Sequence, residues 1–384
     1  MSTKRRIKKK NLSIFIIILL IILIPFGLYY YDNTKVSRSL KKLSYNKEVI
    51  PLIIKEKIDK YLIDNKIYSK TLEMALLDDL YEDDLLEEYI DFEYKDYDNY
   101  IKQLNTLFEI GYDKETNEII FDKLNEDDIN TLIKQKDIIN NIDKYIEADY
   151  FRMDNLNRYL NYKNKNNDYD YNKVVIDVNM YLDYPYYEHD IKVTNPDDLL
   201  VIVNKYYKLS GTFEPKKLVK IDTKYRDNWE RLVVPIVKEN FEKMADDMSK
   251  LGLSIKVTSA YRAYDVQDQL YKENVIKLGK KQADSVSARA GYSEHQTGLA
   301  VDVKNALNDY KFFKDSEEYK WMRDNAHKYG FILRYPEDKT DITGYNFESW
   351  HYRYVGKEVA KIIHDNDLTF DEYYAIYIDK KKTD

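Results

Sequence analysis

Apolar residues form one long uncharged run near the start of the chain and recur at helical spacings after it. Residues 12–31 read LSIFIIILLIILIPFGLYYY and follow six basic residues within the first ten positions. A helix rises 1.5 Å per residue, so about 20 apolar residues cross the roughly 30 Å hydrocarbon core of a bilayer. The run predicts one transmembrane helix, with residues 1–11 as a basic cytoplasmic tail by the positive-inside rule. A cleaved signal peptide is the competing interpretation.

Beyond this run, apolar residues recur three and four positions apart until about residue 148. The spacing predicts a mainly helical extracellular spacer over residues 32–173, in which the polar stretch 161–172 resembles a linker. Residues 174–224 are interpreted as a lead-in segment. Within it, 174–178 and 191–193 alternate as short strands, and a helix is expected over 201–207.

The patterning changes again at about residue 225. Apolar positions predict a helix over 233–251, which Gly252 ends, and 253–260 alternates as a strand. A second strand-like run spans 299–303, and another helix covers 316–329. This mixture predicts an α+β domain over residues 225–384, preceded by the helical spacer and the transmembrane helix.

Composition narrows the classes of function. The 384 residues carry a formal net charge of −7, and the largest cluster of basic residues lies within the first ten positions. The footprint of a nucleic-acid-binding protein is therefore absent, and we expect no nucleic-acid partner. The chain has no cysteine, which excludes a disulfide framework and a thiolate zinc finger. A catalytic metal would have to be held by His, Asp and Glu.

Candidate ligands of that kind stand in two separated stretches. His295 and Asp302 are seven residues apart, and His351 follows much later. Asp302 lies in an apolar run, where an ionised carboxylate is costly unless a cation compensates it. Two imidazoles and one carboxylate would leave a coordination position open on zinc, and Glu348 is a candidate base that is not itself a ligand. On a regular strand Glu348 and His351 would face opposite sides, so a bulge or a strand end has to separate them.

Three blocks of sequence carry a resemblance to a known family. They are SAYR at 259–262 followed by Gln267, SARAGYSEHQTGLAVDV at 287–303, and ESWHYRYVG at 348–356. In this order they resemble the VanY-type D-alanyl-D-alanine carboxypeptidases of the M15 metallopeptidase family, and related L,D-carboxypeptidases of bacterial cell walls share the motifs. The resemblance covers about 150 residues. Ala290 and Ser349 stand where the family commonly has proline, which bears on loop rigidity and substrate preference.

The resemblance implies an antiparallel sheet flanked by helices and one Zn²⁺ in the catalytic domain. It also implies a role for each matching residue. His295, Asp302 and His351 would be the zinc ligands, Glu348 the general base, Arg262 the cation that holds the scissile carbonyl or the substrate carboxylate, Gln267 and Ser293 substrate contacts, and Trp350 part of the pocket wall.

The expected function is that of a zinc carboxypeptidase that removes the C-terminal D-alanine from peptidoglycan stem peptides. We expect a single-pass protein of the cell membrane whose catalytic domain lies outside the cell. Three alternatives stay open. The enzyme could cleave the L,D bond of tetrapeptide stems, the domain could be a wall-binding module without catalysis, or the main function could lie in a helical scaffold at residues 48–160.

Overall fold

The computed structural model describes residues 33–305 and 313–379. The chain divides into two compact units, Met1–Glu147 and Ala148–Asp384. The predicted helix at residues 12–31 lies outside the described residues. The functional boundaries expected at 173 and 224 stay predictions.

The predicted fold class has to be corrected because it included a transmembrane helix. Within residues 33–305 and 313–379, no helix combines the length and the apolar character that a membrane span requires. Pro235–Lys250 has 16 residues and an exposed polar face, so it is both too short and too polar for a span. The architecture is instead a helical N-terminal region followed by a sheet-containing C-terminal unit. The expected membrane association depended on that helix and has no support in the described residues.

The described part of the first unit is helical, as its apolar spacing predicts. Residues 33–42 are helical, and Ser69, Asp113 and Asn125 each cap a later helix by accepting a hydrogen bond from a backbone N–H three residues on. The later helices are α1 (Ile50–Lys55), α2 (Asp59–Asn65), α3 (Lys70–Leu77), α4 (Leu86–Asp91), α5 (Tyr100–Ile110), α6 (Lys114–Lys123), α7 (Glu126–Ile133) and α8 (Ile142–Glu147).

The second unit begins with two helices, continues through short strands and ends in an α+β arrangement. Its helices are α9 (Leu156–Lys165), α10 (Tyr171–Asn179), α11 (Pro235–Lys250), α12 (Tyr264–Leu278), α13 (Lys280–Val286), α14 (Glu317–Asn325), α15 (Thr340–Thr343), α16 (Lys357–Asp365) and α17 (Phe370–Tyr373). Its strands are β1 (Ile191–Lys192), β2 (Tyr207–Lys208), β3 (Val219–Lys220), β4 (Leu232–Val233), β5 (Ile255–Ser259), β6 (Ala300–Asn305), β7 (Phe331–Leu333) and β8 (His351–Tyr354).

Four of these strands form the antiparallel sheet that the resemblance implies. The order is β5-β6-β8-β7, so the neighbours in space include strands far apart in sequence. Helix α11 packs its buried Phe241 and Met244 against the sheet residues Val257, Val301 and Tyr352, which are also buried. In the pairing of β6 with β8, Asp302 lies opposite His351. This register brings two of the candidate ligands together at one end of β8.

Two local predictions in the lead-in segment are wrong. Residues 174–178 belong to helix α10, where Val174, Val175 and Val178 form one buried face and Asp170 caps the first turn. Valine suits a strand by propensity, but packing of that face decides in favour of the helix. Residues 201–206 are buried without being helical, and the strand at 191–192 is confirmed. Helix α9 also extends into the stretch predicted as a linker.

Gly330 is a position where replacement by alanine should destabilise the second unit. Its φ is +89°, and an added Cβ would lie 2.7 Å from the Tyr354 ring and 3.2 Å from the backbone of Gly356. Left-handed backbone costs about 1–2 kcal/mol for a non-glycine residue, and overpacking adds about 1–3 kcal/mol. We therefore expect Gly330→Ala to lower the thermal melting temperature clearly.

Gly252→Ala is the matched control for this measurement. Gly252 has a similar φ of +78°, but nothing lies within 4 Å of an added Cβ. It should show the backbone cost alone, so its melting temperature should lie between those of the parent and of Gly330→Ala. Equal melting temperatures for the two variants would contradict the proposed clash at Gly330.

Candidate metal centre and catalytic pocket

The three candidate ligands are carried by elements that meet at the edge of β6 and β8. His295 lies in a 3₁₀ turn, Glu294–Thr297, which Gly298 ends with a φ of +67°. The chain then enters β6, where Asp302 is the third residue, and His351 is the first residue of β8. The glycine is required because the reversal between turn and strand uses left-handed backbone.

The ligand atoms converge closely. Asp302 Oδ2 is 3.3 Å from His295 Nε2, and Asp302 Oδ1 is 3.1 Å from His351 Nδ1. One ligand atom from each of the three residues lies within 4.8 Å of the other two. The structure therefore brings His295, Asp302 and His351 together around one point.

The hydrogen bond made by Nδ1 of His295 determines that its other ring nitrogen, Nε2, is free for a metal. Its Nδ1 lies 2.8 Å from the carbonyl oxygen of Ala260, which can only accept a hydrogen bond. The proton of the neutral ring is therefore placed on Nδ1, and the lone pair of Nε2 points toward Asp302. This is the arrangement expected of a metal-binding imidazole with a hydrogen-bonded outer partner.

The donor set fits a zinc ion. Asp302 Oδ1 is buried and accepts no hydrogen bond from any residue in the described ranges, so it lacks the partner that a buried carboxylate requires. Two nitrogens and one oxygen are the protein ligands of many catalytic zinc sites, and they leave the fourth position open.

Electrostatics in the cluster favour a positive charge. Burial opposes protonation of His351, yet the adjacent Asp302 and Glu294 raise its pKa to about 9. Burial alone would raise the pKa of Asp302, but His295 and His351 hold it well below its usual range. The cluster therefore keeps its carboxylate ionised and attracts a cation.

Glu348 stands beside the ligands without belonging to their cluster. Its Oε2 is 3.6 Å from His351 Nδ1, and its side chain retains 15% exposure. It lies in the turn before β8, where the His351 N–H donates to the Glu348 carbonyl. Glu348 thus precedes the first residue of β8, so a strand end separates it from His351 as the sequence pattern requires.

Burial raises the pKa of Glu348 to about 7, with His351 opposing the shift and Asp302 adding to it. A cation at the ligands would lower this pKa and favour the ionised form.

The predicted site residues share one cavity of about 170 Å³. Its lining includes the three ligands and the other five residues named from the sequence: Arg262, Gln267, Ser293, Glu348 and Trp350. Sequence reasoning did not identify other wall residues, notably Tyr335, Tyr345, Leu270 and Asn274. Nothing in the local pattern around these four residues distinguishes them from ordinary core and helix positions.

Arg262 is held in place by two neutral partners. Its Nη1 donates to Gln267 Oε1 and its Nη2 to Ser259 Oγ, both at 2.7 Å. The amide nitrogen of Gln267 donates in turn to the Ala288 carbonyl at 2.7 Å. Gln267 therefore positions Arg262 in this state. The guanidinium lies 3.8 Å from Asp302 Oδ2, at the border of the ligand cluster.

A buried ionic network adjoins the ligand His351, and the sequence did not reveal it. Glu294 Oε1 accepts from Arg334 Nε at 2.8 Å and from Arg353 Nη1 at 3.0 Å. Arg334 also donates to Asp371 at 2.6 Å. Burial would raise the pKa of Glu294, but the two arginines outweigh it and hold the pKa far below its usual range. The adjacency of Glu294 to His295 was the one visible signal.

Sequence comparison finds matches over the same part of the chain. Residues 230–357 match the family model described as VanY: D-alanyl-D-alanine carboxypeptidase. The Bacillus subtilis (strain 168) protein YodJ is 40% identical over 201 residues, and the match covers 49% of this chain and 74% of YodJ. The Enterococcus gallinarum protein VanXYC is described as a bifunctional D-Ala-D-Ala dipeptidase and D-Ala-D-Ala carboxypeptidase. It is 33% identical over 180 residues, which are 46% of this chain and 93% of VanXYC.

Among solved structures, the LD-carboxypeptidase LdcB is 40% identical, and the match covers 48% of this chain and 89% of the LdcB chain with a TM-score of 0.46. D,D and L,D enzymes thus both occur among the similar proteins.

Proposed function

The chain belongs to the VanY family of carboxypeptidases, and from that premise we propose that it removes the C-terminal D-alanine from peptidoglycan stem peptides in a zinc-dependent reaction. The coarser activity follows from the family itself: the protein is a hydrolytic enzyme, a carboxypeptidase that acts on peptidoglycan peptides. The observation that carries the finer proposal is the meeting of His295, Asp302 and His351 beside Glu348 in one pocket.

His295, Asp302 and His351 would hold the zinc ion, through the atoms that already face one another. Bound zinc supplies Lewis acidity, which lowers the pKa of water toward about 7 and polarises a carbonyl group. The three ligands line the same pocket as Glu348 and Arg262, so the open coordination position would face these two residues.

Glu348 is proposed as the general base because it is beside the ligands and retains access to the pocket. Its Oε2 would accept a proton from the attacking water and pass it to the nitrogen of the departing D-alanine. An ionised carboxylate is needed for the first transfer and a carboxylic acid for the second. Burial raises the pKa of Glu348, which helps the carboxylic acid to form, and a cation at the ligands would lower it, which favours the ionised form.

Arg262 is proposed to bind negative charge on the substrate. Its guanidinium is oriented by Gln267 and Ser259 and lines the pocket beside Asp302. It would hold either the developing oxyanion of the scissile carbonyl or the C-terminal carboxylate, and fixed donors at such a position stabilise the transition state. Ser293 and Trp350 also line the pocket, and we propose that they contact the substrate.

The proposed substrate also suggests where the enzyme acts. Stem peptides of assembled peptidoglycan lie outside the cytoplasmic membrane, so we place the catalytic unit on that side. The alternative L,D-carboxypeptidase would share the location, the zinc site and the base. It would differ in the stem length accepted and in the bond cleaved.

Product masses from defined stem peptides test the proposal. The full chain is incubated with pentapeptide and tetrapeptide stems, each with a free C-terminus or with a C-terminal amide, and each with and without a chelator. We expect the free pentapeptide to lose one alanine and the chelator to stop the reaction until zinc is restored. The amidated peptides distinguish the two roles of Arg262: they should stay intact if it binds the terminal carboxylate and should be cleaved if it binds the oxyanion.

Two results would go against the proposal. Loss of alanine from the tetrapeptide alone would replace the D,D assignment by the L,D alternative. Intact peptides in every zinc-containing reaction would leave the wall-binding module and the helical scaffold as the remaining interpretations.

A further inference from the structure

Glu294 lies next to the ligand His351, at the ring nitrogen opposite the one that faces Asp302. Its Oε2 is 3.7 Å from His351 Nε2, and the Glu294 side chain has no exposed area. Both atoms are buried and have no hydrogen-bond partner among the residues that the structure describes. A buried acceptor and a buried ring nitrogen that face each other at this distance need only a small rotation to form a hydrogen bond.

The other oxygen of Glu294 explains why Oε2 is directed at the histidine. Oε1 accepts from Arg334 at 2.8 Å and from Arg353 at 3.0 Å. Two guanidinium groups on one oxygen fix the plane of the carboxylate and keep it ionised. Oε2 is therefore held in a fixed direction, and it faces Nε2 of His351 as a hydrogen-bond acceptor.

The opposite nitrogen of His351 faces the proposed metal position. Nδ1 is 3.1 Å from Asp302 Oδ1 and 3.6 Å from Glu348 Oε2. A neutral imidazole carries one N–H, so a proton held at Nε2 leaves the Nδ1 lone pair free. In His295 the two ring nitrogens have the opposite roles: Nδ1 carries the proton, because it faces the Ala260 carbonyl, and Nε2 is free for the metal.

We propose that Glu294 is a positioning residue for His351: its Oε2 accepts a hydrogen bond from Nε2–H, and this hydrogen bond fixes the ring and the tautomer whose Nδ1 binds the metal. The inference rests on the proposed zinc site. Histidines that bind metals commonly donate their other N–H to a carboxylate or a carbonyl, which raises the basicity of the ligand. The two imidazoles of this site would then differ, since one is held by a neutral carbonyl and the other by an anion.

The competing explanation is that Glu294 only neutralises the two buried arginines. Asp371 provides the matched comparison, because it is buried in the same network and pairs with Arg334 through both of its oxygens. Asp371 accepts hydrogen bonds from Asn204 and Arg334 and makes no hydrogen bond or ion pair with His351. Glu294→Gln and Asp371→Asn thus each replace a buried carboxylate beside the same arginine.

Zinc affinity, measured by competition with a chromophoric chelator on the full chain, separates the two roles. Loss of an outer hydrogen-bond partner of a metal ligand typically costs about 10–100-fold in affinity, and we expect that loss for Glu294→Gln. Asp371→Asn should keep a zinc affinity close to that of the parent, even if its melting temperature falls as far as that of Glu294→Gln. Equal affinities for the two variants would overturn the positioning role.

A spectroscopic measurement on the parent protein decides the matter if Glu294→Gln does not fold. The chain has five histidines, which keeps the spectrum of ¹⁵N-labelled histidine simple. With ¹¹³Cd in place of zinc, we expect cadmium–nitrogen coupling at Nδ1 of His351 and Nε2 of His295, with a slowly exchanging proton on Nε2 of His351. Coupling at Nε2 of His351 would overturn the inference alone. A parent protein that binds neither zinc nor cadmium would overturn the proposed function as well.

Discussion

Glu348→Gln is expected to lower peptide turnover by about 10²–10⁴-fold, the usual contribution of a general base, while zinc content stays at the parent level. The amide has almost the shape of the carboxylate but cannot accept a proton from water. Glu348 is outside the ligand cluster formed by His295, Asp302 and His351, so its substitution should not release the metal. The measurements are kcat on the stem peptide and zinc per chain by elemental analysis.

Glu358→Gln is a suitable control for this variant, because Glu358 is exposed on α16 and does not line the pocket. It should match the parent in both measurements. Unchanged turnover in Glu348→Gln would remove Glu348 from the mechanism. A fall in zinc content would show instead that Glu348 is a ligand.

His295→Ala is expected to release the metal and to abolish activity together. His295 supplies one of three protein ligand atoms, and its ring is fixed by the Ala260 carbonyl. Loss of an outer partner alone costs about 10–100-fold in affinity, so loss of a ligand should exceed the upper end of that range. The purified variant should contain little zinc by elemental analysis, and added zinc should restore little turnover.

The control for this variant is His364→Ala. His364 has 40% of its side chain exposed and stacks on His327. It should retain the zinc content and turnover of the parent. Full zinc occupancy in His295→Ala would show that the ligand assignment is wrong, whatever happens to activity.

Several features were predictable because their causes are local in the chain. The apolar spacing placed a helix over 233–251 and a strand over 253–260, close to the observed Pro235–Lys250 and Ile255–Ser259. Local spacing was less reliable at residues 174–178, where valines suit a strand or a buried helix face equally well and tertiary packing decided. The transmembrane helix in the expected fold class has no counterpart among the described residues.

The site itself was predictable in its members and only partly in its arrangement. Two separated stretches of sequence were enough to nominate His295, Asp302, Glu348 and His351. Arg262 was nominated from the family resemblance, and the structure brings all five residues into one pocket. Three features were not predictable: the contact of Gln267 with Arg262, the pocket walls formed by Tyr335 and Tyr345, and the ionic network that includes Glu294. Each depends on residues that no local pattern connects.

The amino-acid sequence by itself determined which side chains are available: without cysteine, a metal could be held only by the imidazoles and carboxylates that the chain supplies. The tertiary structure alone decided how they are used. Pairing of β6 with β8 sets Asp302 opposite His351, and the core directs Arg334 and Arg353 to one oxygen of Glu294. The physical reason is that strand register and buried ion pairs are set by packing between distant segments, whereas sequence patterns report only on neighbours along the chain.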